Sequence, residues 1–281
     1  MNVVSTVFPS LENFEINATL VEENKYPWIA RVVHSRTSNT PVVCTAVCVD
    51  RRIFITAAVC ISTLKVYYTT VIYQYGWLPA MAFVVPANGS KQGFDDIGFI
   101  IVEADESTRW HTIELFGTNR TDEAFKWFSD LFHTDKITHK VVGFAVPKIL
   151  QKVVIADRPF HICELPVVVN INLCPSILTF KNTFSGFNVP CYHSCSVKEY
   201  EAKEKNCENY HGVKGGAVIN TNTNKLLGVA TWGAISTNPL PVGFAVPNSA
   251  NFFKNYQCAQ RIRDDQEISV TAGYYQSLCD E

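Results

Sequence analysis

The sequence has no apolar run long enough to cross a bilayer, which takes about twenty residues, and no surplus of charge of either sign. Twenty-four Lys and Arg stand against 26 Asp and Glu, for a formal net charge of −2 and a pI near 6.4. A basic field for nucleic acid is therefore missing, and neither nucleic acid nor a membrane is expected as a partner. There is no Pro/Gly/Ser-rich linker, no low-complexity tract and no internal repeat, which argues against separable domains and against a solenoid. The opening stretch, MNVVSTVFPSLENFEIN, lacks both a basic n-region and a sustained apolar h-region. The chain is thus expected either to be given in mature form or to leave the cell without a conventional signal peptide. Segments with helical period are also few.

What the 281 residues do contain is 47% apolar composition, enough to bury one large core or two smaller ones. Short β-branched and aromatic runs recur between turn residues: PVVCTAVCV, RIFITAAVC, VYYTTVIYQY, IGFIIVEA, HKVVGFAV, KVVIAD, GGAVIN and KLLGVATWG. Many strands at short spacing read as an all-β sandwich or barrel. Two stretches are helical candidates. VKEYEAKEK is charged on all sides, and SANFFKNYQCAQRIRDD near the C-terminus starts at a capping Ser249.

Ten cysteines, an even number scattered along the chain, suit a disulfide framework. Three glycosylation sequons, at Asn17, Asn88 and Asn119, point the same way, towards an extracellular or secretory-pathway protein. The run CYHSC (191–195) has the residue types of a zinc site but not the spacing of the common fingers, so disulfide cysteines, with His193 on a surface loop, are the favoured reading. No metal and no cofactor is expected. The remaining histidines (His34, His111, His133, His139, His161) form no readable cluster, and His211 is taken as a surface residue.

The stretch HGVKGGAVIN (211–220) looks like a nucleophile loop leading into a strand, with Lys214 in the nucleophile's place. A phosphate loop does not fit, because no Ser or Thr follows the lysine and a strand rather than a helix comes next. A Schiff-base or general-base lysine would need desolvation and a carbonyl substrate, so a lysine that fills vacated space is the plainer reading.

Taken in order, YPWIARVV (26–33), CTAVCVDRRIFITAAVC (44–60), DDIGFIIVE (95–103), GVKGGAVIN with KLLGVATWG, and PVGFAVPNSANFF resemble the trypsin/chymotrypsin-like serine proteases over nearly the whole chain. The resemblance implies two antiparallel six-stranded β-barrels with a C-terminal helix. It implies one serine-protease-like domain over 1–281, with a core at about 16–258 and short terminal extensions. It also implies a Cys44–Cys60 bridge and a Cys163–Cys191 bridge; the partners of Cys48, Cys174, Cys195, Cys207, Cys258 and Cys279 stay open. The stretch from Cys163 to the Lys214 loop is longer than the family's, and ELPVVVNINLCPSILTFKNTFSGFNV (164–189) is expected to be an insertion that carries binding.

The family's Thr-Ala-Ala-His-Cys reads Thr56-Ala57-Ala58-Val59-Cys60 here, and the nucleophile position is Lys214. Only Asp96 keeps its triad type. Valine accepts no proton, and without a base there is no activated hydroxyl. The activation pair is missing as well: Glu15, not a basic residue, precedes Ile16, and Val213 precedes Lys214. No catalytic residue is therefore expected. Thr231 matches the family's serine that donates to the aspartate, and Lys214 is expected to pair with Asp96 as an internal salt bridge.

The resemblance thus implies a pseudoprotease: an extracellular, protein-binding or regulatory factor, a cofactor or decoy in a proteolytic cascade whose partner is an active protease or its zymogen. The alternatives are a residual or unconventional serine-type hydrolase and a structural or storage protein with no specific partner.

Overall fold

The structure is a computed structural model that describes residues 19–34, 42–74, 76–86, 96–115, 139–147, 161–170, 193–197, 210–211, 214–232, 242–247, 250–265 and 279. After a short strand β1 (Thr19–Val21), six strands close into a barrel: β2 (Ile29–His34), β3 (Val42–Asp50), β4 (Ile53–Ala57), β5 (Thr69–Tyr73), β6 (Gly76–Val84) and β7 (Ile97–Val102), in the order β2-β3-β4-β7-β6-β5. The β-branched runs seen in the sequence supply β3, β4, β5 and β7 directly. Their hairpins are tight. Arg52 sits at φ 65° between β3 and β4, and Gln74 at φ 46° between β5 and β6.

Small residues face large ones inside this barrel. Ala30 pairs with Ala46 on one side and Tyr73 on the other. Phe54 packs edge-on against Tyr73, which in turn stacks on Trp110 at 5.8 Å between centroids. Every residue of β7 is buried, because its second face is covered by the C-terminal helix α2 (Ala250–Asp264). Phe252, Tyr256, Ala259 and Ile262 fall three or four apart and make one face of α2. From it Phe252 and Tyr256 pack on Phe99 at 5.5 and 5.6 Å. A polar clamp fixes the same helix to the β3 end: Asp50 accepts bonds from Arg263, Tyr256 and Gln260. Cys258 on α2 is bonded to Cys279.

The second half is an antiparallel sheet of β8 (His139–Pro147), β9 (His161–Asn170), β10 (His193–Val197), β11 (Tyr210–His211), β12 (Ala217–Asn220), β13 (Leu226–Trp232) and β14 (Val242–Ala245), joined by β1. Its order is β1-β9-β10-β14-β13-β12-β8-β11, and β9 pairs with β8 as well as with β10. The β12–β13 hairpin is set by Asn220, whose side-chain oxygen accepts the N–H groups of Asn222 and Thr223, and by Asn224 at φ 55°.

The segment after β7 ties the halves together: Ile113 donates its N–H to the Cys48 carbonyl and Leu226 donates to the Glu114 carbonyl. At the other end Glu164 of β9 accepts bonds from Tyr26 at 2.5 Å, Lys25 at 2.7 Å and Lys140 at 3.3 Å, which hold its carboxyl below the usual carboxylate range against the opposing effect of burial.

One expectation is corrected here. Residues 164–170 are part of β9, paired to β8 and β1 up to Val167 and to β10 from Val168 to Asn170, and so belong to the sheet and not to an insertion. Residues 171–189, the sequon residues Asn17, Asn88 and Asn119, Cys191, Ser249 and the KVVIAD stretch lie outside the described residues, as does VKEYEAKEK beyond Val197.

Candidate functional site

Strand β4 ends at Ala57, and the chain turns at once into the short helix α1 (Ala58–Ile61). The β4–β7 register sets Ala57 opposite Ile97, which brings the start of α1 against the residue that precedes β7, Asp96. Both leading N–H groups of α1 end on that residue. Ala58 donates to the Asp96 backbone carbonyl at 3.2 Å, and Val59 donates to Asp96 Oδ1 at 2.8 Å. Such close approach needs a small residue on β7. A Cβ on Gly98 would lie 2.9 Å from Ile61 Cδ1 and 3.1 Å from Ala58 Cα. The bridge Cys44–Cys60 (Cα–Cα 6.1 Å) then ties α1 to β3.

Asp96 is 3% exposed. Burial pushes its carboxyl up from 3.8 to about 6, against the opposing pull of the Val59 N–H, the Lys214 charge and the Ala58 N–H. Val59 turns its side chain outward and is 37% exposed. In contact with Asp96 it is thus a backbone amide that acts, not a side chain.

Lys214 stands in the turn before β12 and is half-buried. Its carbonyl accepts the N–H of Thr45 at 2.8 Å. Thr45 is a junction between the two halves, because its hydroxyl also accepts the N–H of Phe144 on β8 at 2.8 Å, while its own carbonyl accepts the Thr56 hydroxyl at 2.7 Å. Gly215, at φ +79°, fits only as glycine. A Cβ there would overlap the Thr45 carbonyl and the Thr56 hydroxyl. Its N–H goes to the Ala230 carbonyl at 2.7 Å, which sets the Lys214 turn against β13 beside the buried Thr231.

The structure therefore brings Val59 and Asp96 into direct contact and places Lys214 near enough for its charge to act on Asp96. The expected salt bridge is not formed: among the ion pairs of the described residues none joins Lys214 to Asp96. The carboxylate takes a backbone donor on α1 instead, so the lysine acts at longer range. Among the described residues no group of three or more His, Cys, Asp or Glu could hold a metal ion. The Cys163 side chain, His193 and His211 lie in strands whose side chains are outside the described ones, so the Cys163–Cys191 pairing falls outside them too. Two features escaped the sequence reading, the Cys258–Cys279 bridge and the junction role of Thr45. The only sequence sign of the junction is the position of Thr45 directly after Cys44.

A closed six-stranded barrel, a second antiparallel sheet and a terminal helix laid on the first barrel recur in solved structures. The VesB protease of Vibrio cholerae superposes with a TM-score of 0.56 at 16% identity over 87% of this chain and 67% of its own. The fold is trypsin-like. The scabies mite inactivated protease paralogue S-D1 gives 0.58 at 15% identity, over 89% of this chain and 97% of its own. The secreted serine protease VesC of Vibrio cholerae gives 0.54 at 15% identity, over 91% of this chain and 49% of its own. No protein-family model matches the chain, and no curated protein does.

Proposed function

We propose that this chain is a non-catalytic homologue of the serine proteases, a single domain of two barrels that works outside the cell by binding another protein. The observation that carries the reading is the contact at Asp96. Acyl transfer by a serine-type mechanism needs a base within hydrogen-bond reach of a nucleophile, and a carboxylate to orient that base. Here the oriented group is the amide of Val59, whose side chain has no proton acceptor. Lys214, half-buried, carries no hydroxyl, and a lysine nucleophile needs a desolvated amine.

The pairing of β9 with both β8 and β10 supports reading the second sheet as the second barrel. Two bridges among the described cysteines suit an oxidising compartment. Exposed aromatic side chains, Tyr67 (64%), Tyr68 (45%) and Trp77 (46%), are of the kind that anchors protein partners. A neighbour described as an inactivated protease paralogue fits the same reading, and a cascade protease or its zymogen is the partner we favour.

The test is a fluorophosphonate probe, which labels only an activated hydroxyl, beside a peptidase assay of Lys214→Ser. Neither labelling of the native chain nor turnover by the single variant is expected, since one restored part of a catalytic unit recovers little. Labelling of any residue in the folded chain overturns the reading. Affinity capture from the native extracellular fluid then identifies the partner.

A further inference from the structure

Asp96 is held from two sides by parts of the chain that are far apart in sequence. On one side α1 gives it the Ala58 and Val59 N–H groups and otherwise presents only Ala58, Val59, the bridged Cys60 and Ile61, none of which is charged. Strand β4 adds Thr56 and Ala57, and β7 adds Ile97 and Gly98, again without charge. On the other side the turn before β12 brings Lys214, the charged group whose field reaches the carboxyl. The tight seat of Gly98 under Ile61 and Ala58 and the full burial of β7 leave the carboxyl no route to water by rotation of its strand. A change of its charge must therefore be answered by its neighbours.

We propose that the Asp96 carboxyl is a proton-operated latch between α1 and the Lys214 turn. Ionised, it holds the Val59 amide and attracts the Lys214 ammonium; on taking up a proton it releases both, so that the surface carrying Val59 and Lys214 loosens on mild acidification. The physical basis is that a charge-assisted N–H···O bond is about twice as strong as the neutral one, and that a neutral carboxyl exerts no net pull on an ammonium. The step is a plain proton association with no other reactant. This goes beyond the proposed function and does not depend on it, because the latch is read with neither substrate nor partner present.

The experiment is an NMR titration from pH 4.5 to 8 of the folded chain labelled with 15N and with 13C at aspartate carboxyls. The Asp96 resonance, assigned by its loss in Asp96→Asn, is expected to titrate with a midpoint at about 6. The Val59 amide should follow with the same midpoint, and its hydrogen exchange, compared at equal intrinsic rate, should be faster below it. Lys214→Met should move the midpoint up by roughly half a pH unit, the effect of one unit charge beyond ion-pair distance and screened nearly as in water. In Asp96→Asn the Val59 amide should be flat. A Val59 amide that is flat in the native chain, or that still titrates in Asp96→Asn, overturns the latch. So does a midpoint that Lys214→Met leaves unmoved.

Discussion

Two buried titratable groups, one in each half of the molecule, set opposing demands on acidity, and their removal one at a time should expose both. Burial raises Asp96 from 3.8 to about 6, so the folded state binds this proton more tightly than the unfolded chain does. Its contribution to stability is fully present below about pH 4 and is lost as the pH rises through about 6. His139 on β8, also buried, is lowered from 6.5 to about 4. The folded state resists that proton, and stability drains away as the pH falls from about 6.5 towards 4. Each difference, at ~1.4 kcal/mol per pKa unit, corresponds to about 3 kcal/mol.

The two windows coincide and the signs oppose, so in the native chain they largely cancel. Urea unfolding of the unreduced protein between pH 4 and 7.5 is the assay, compared with Asp96→Asn and His139→Gln. Asparagine keeps an oxygen for the Val59 N–H. Glu164 and the other carboxylates tilt all three profiles alike, so the quantity to read is the difference from the native chain. Asp96→Asn should gain about 3 kcal/mol relative to native as the pH rises from 4 to 7. His139→Gln should gain about 3 kcal/mol relative to native as the pH falls over the same range. Profiles that run parallel to the native one would refute the reasoning.

Gly215→Ala should cost more than about 3 kcal/mol, from left-handed backbone strain together with the broken Thr45 and Thr56 hydrogen bonds; a variant that unfolds in urea within about 1 kcal/mol of native contradicts the packing described. Arg263→Met should lower stability by about 1–3 kcal/mol by removing the charged donor to Asp50, and an unchanged urea midpoint would show that the Arg263–Asp50 pair does not help to hold α2. Cys48, fully buried and with its thiol pushed up to about 12 chiefly by burial, should resist alkylation until the chain unfolds, and rapid labelling in the native state would contradict its enclosure in the barrel. Among the described cysteines four are bridged and Cys48 is free; the other five of the ten are an odd number, so thiol counting of the unfolded, unreduced chain should find a second thiol or an intermolecular bridge.

Strands β3, β4, β5 and β7 of the closed barrel and β8, β12 and β13 of the second sheet were legible because they are β-branched runs between turn residues. Strand β6 was not, since it opens on Gly76 and carries Trp77 and Pro79 on its outward side. Strand β9 was hidden for a different reason. The stretch from Cys163 to the Lys214 loop is longer than the family's and suggested an insertion, yet its start is paired, with Pro166 opposite Lys140. Helix α2 was legible from its apolar spacing and the Ser249 before it. Within the site, the motif order located Val59, Asp96 and Lys214, but not how they interact. A side-chain pairing of Lys214 with Asp96 is what charge logic proposes. The backbone donor that takes the carboxylate instead depends on the turn from β4 into α1, and no residue type announces that.

That backbone donor explains how Asp96 can stand buried beside a valine. An uncompensated buried carboxylate costs several kcal/mol, and a residue at position 59 that served it only by a side chain could not be exchanged without leaving it stranded. The Val59 N–H at 2.8 Å belongs to the main chain, and any residue other than proline supplies it. The Ala58 N–H, bound to the Asp96 carbonyl, fixes the same turn by a second point, and the Cys44–Cys60 bridge closes it from behind. The fold at this corner therefore depends on the path of the chain, not on the chemistry of the side chain at 59. On the opposite side the same holds for Lys214, whose structural contact is its carbonyl, bound to Thr45. Both positions are anchored by main-chain atoms, so the scaffold can change the residues there and still fold. Asp96 has no such freedom. Its side chain is the acceptor, so the corner needs a side-chain oxygen at this position.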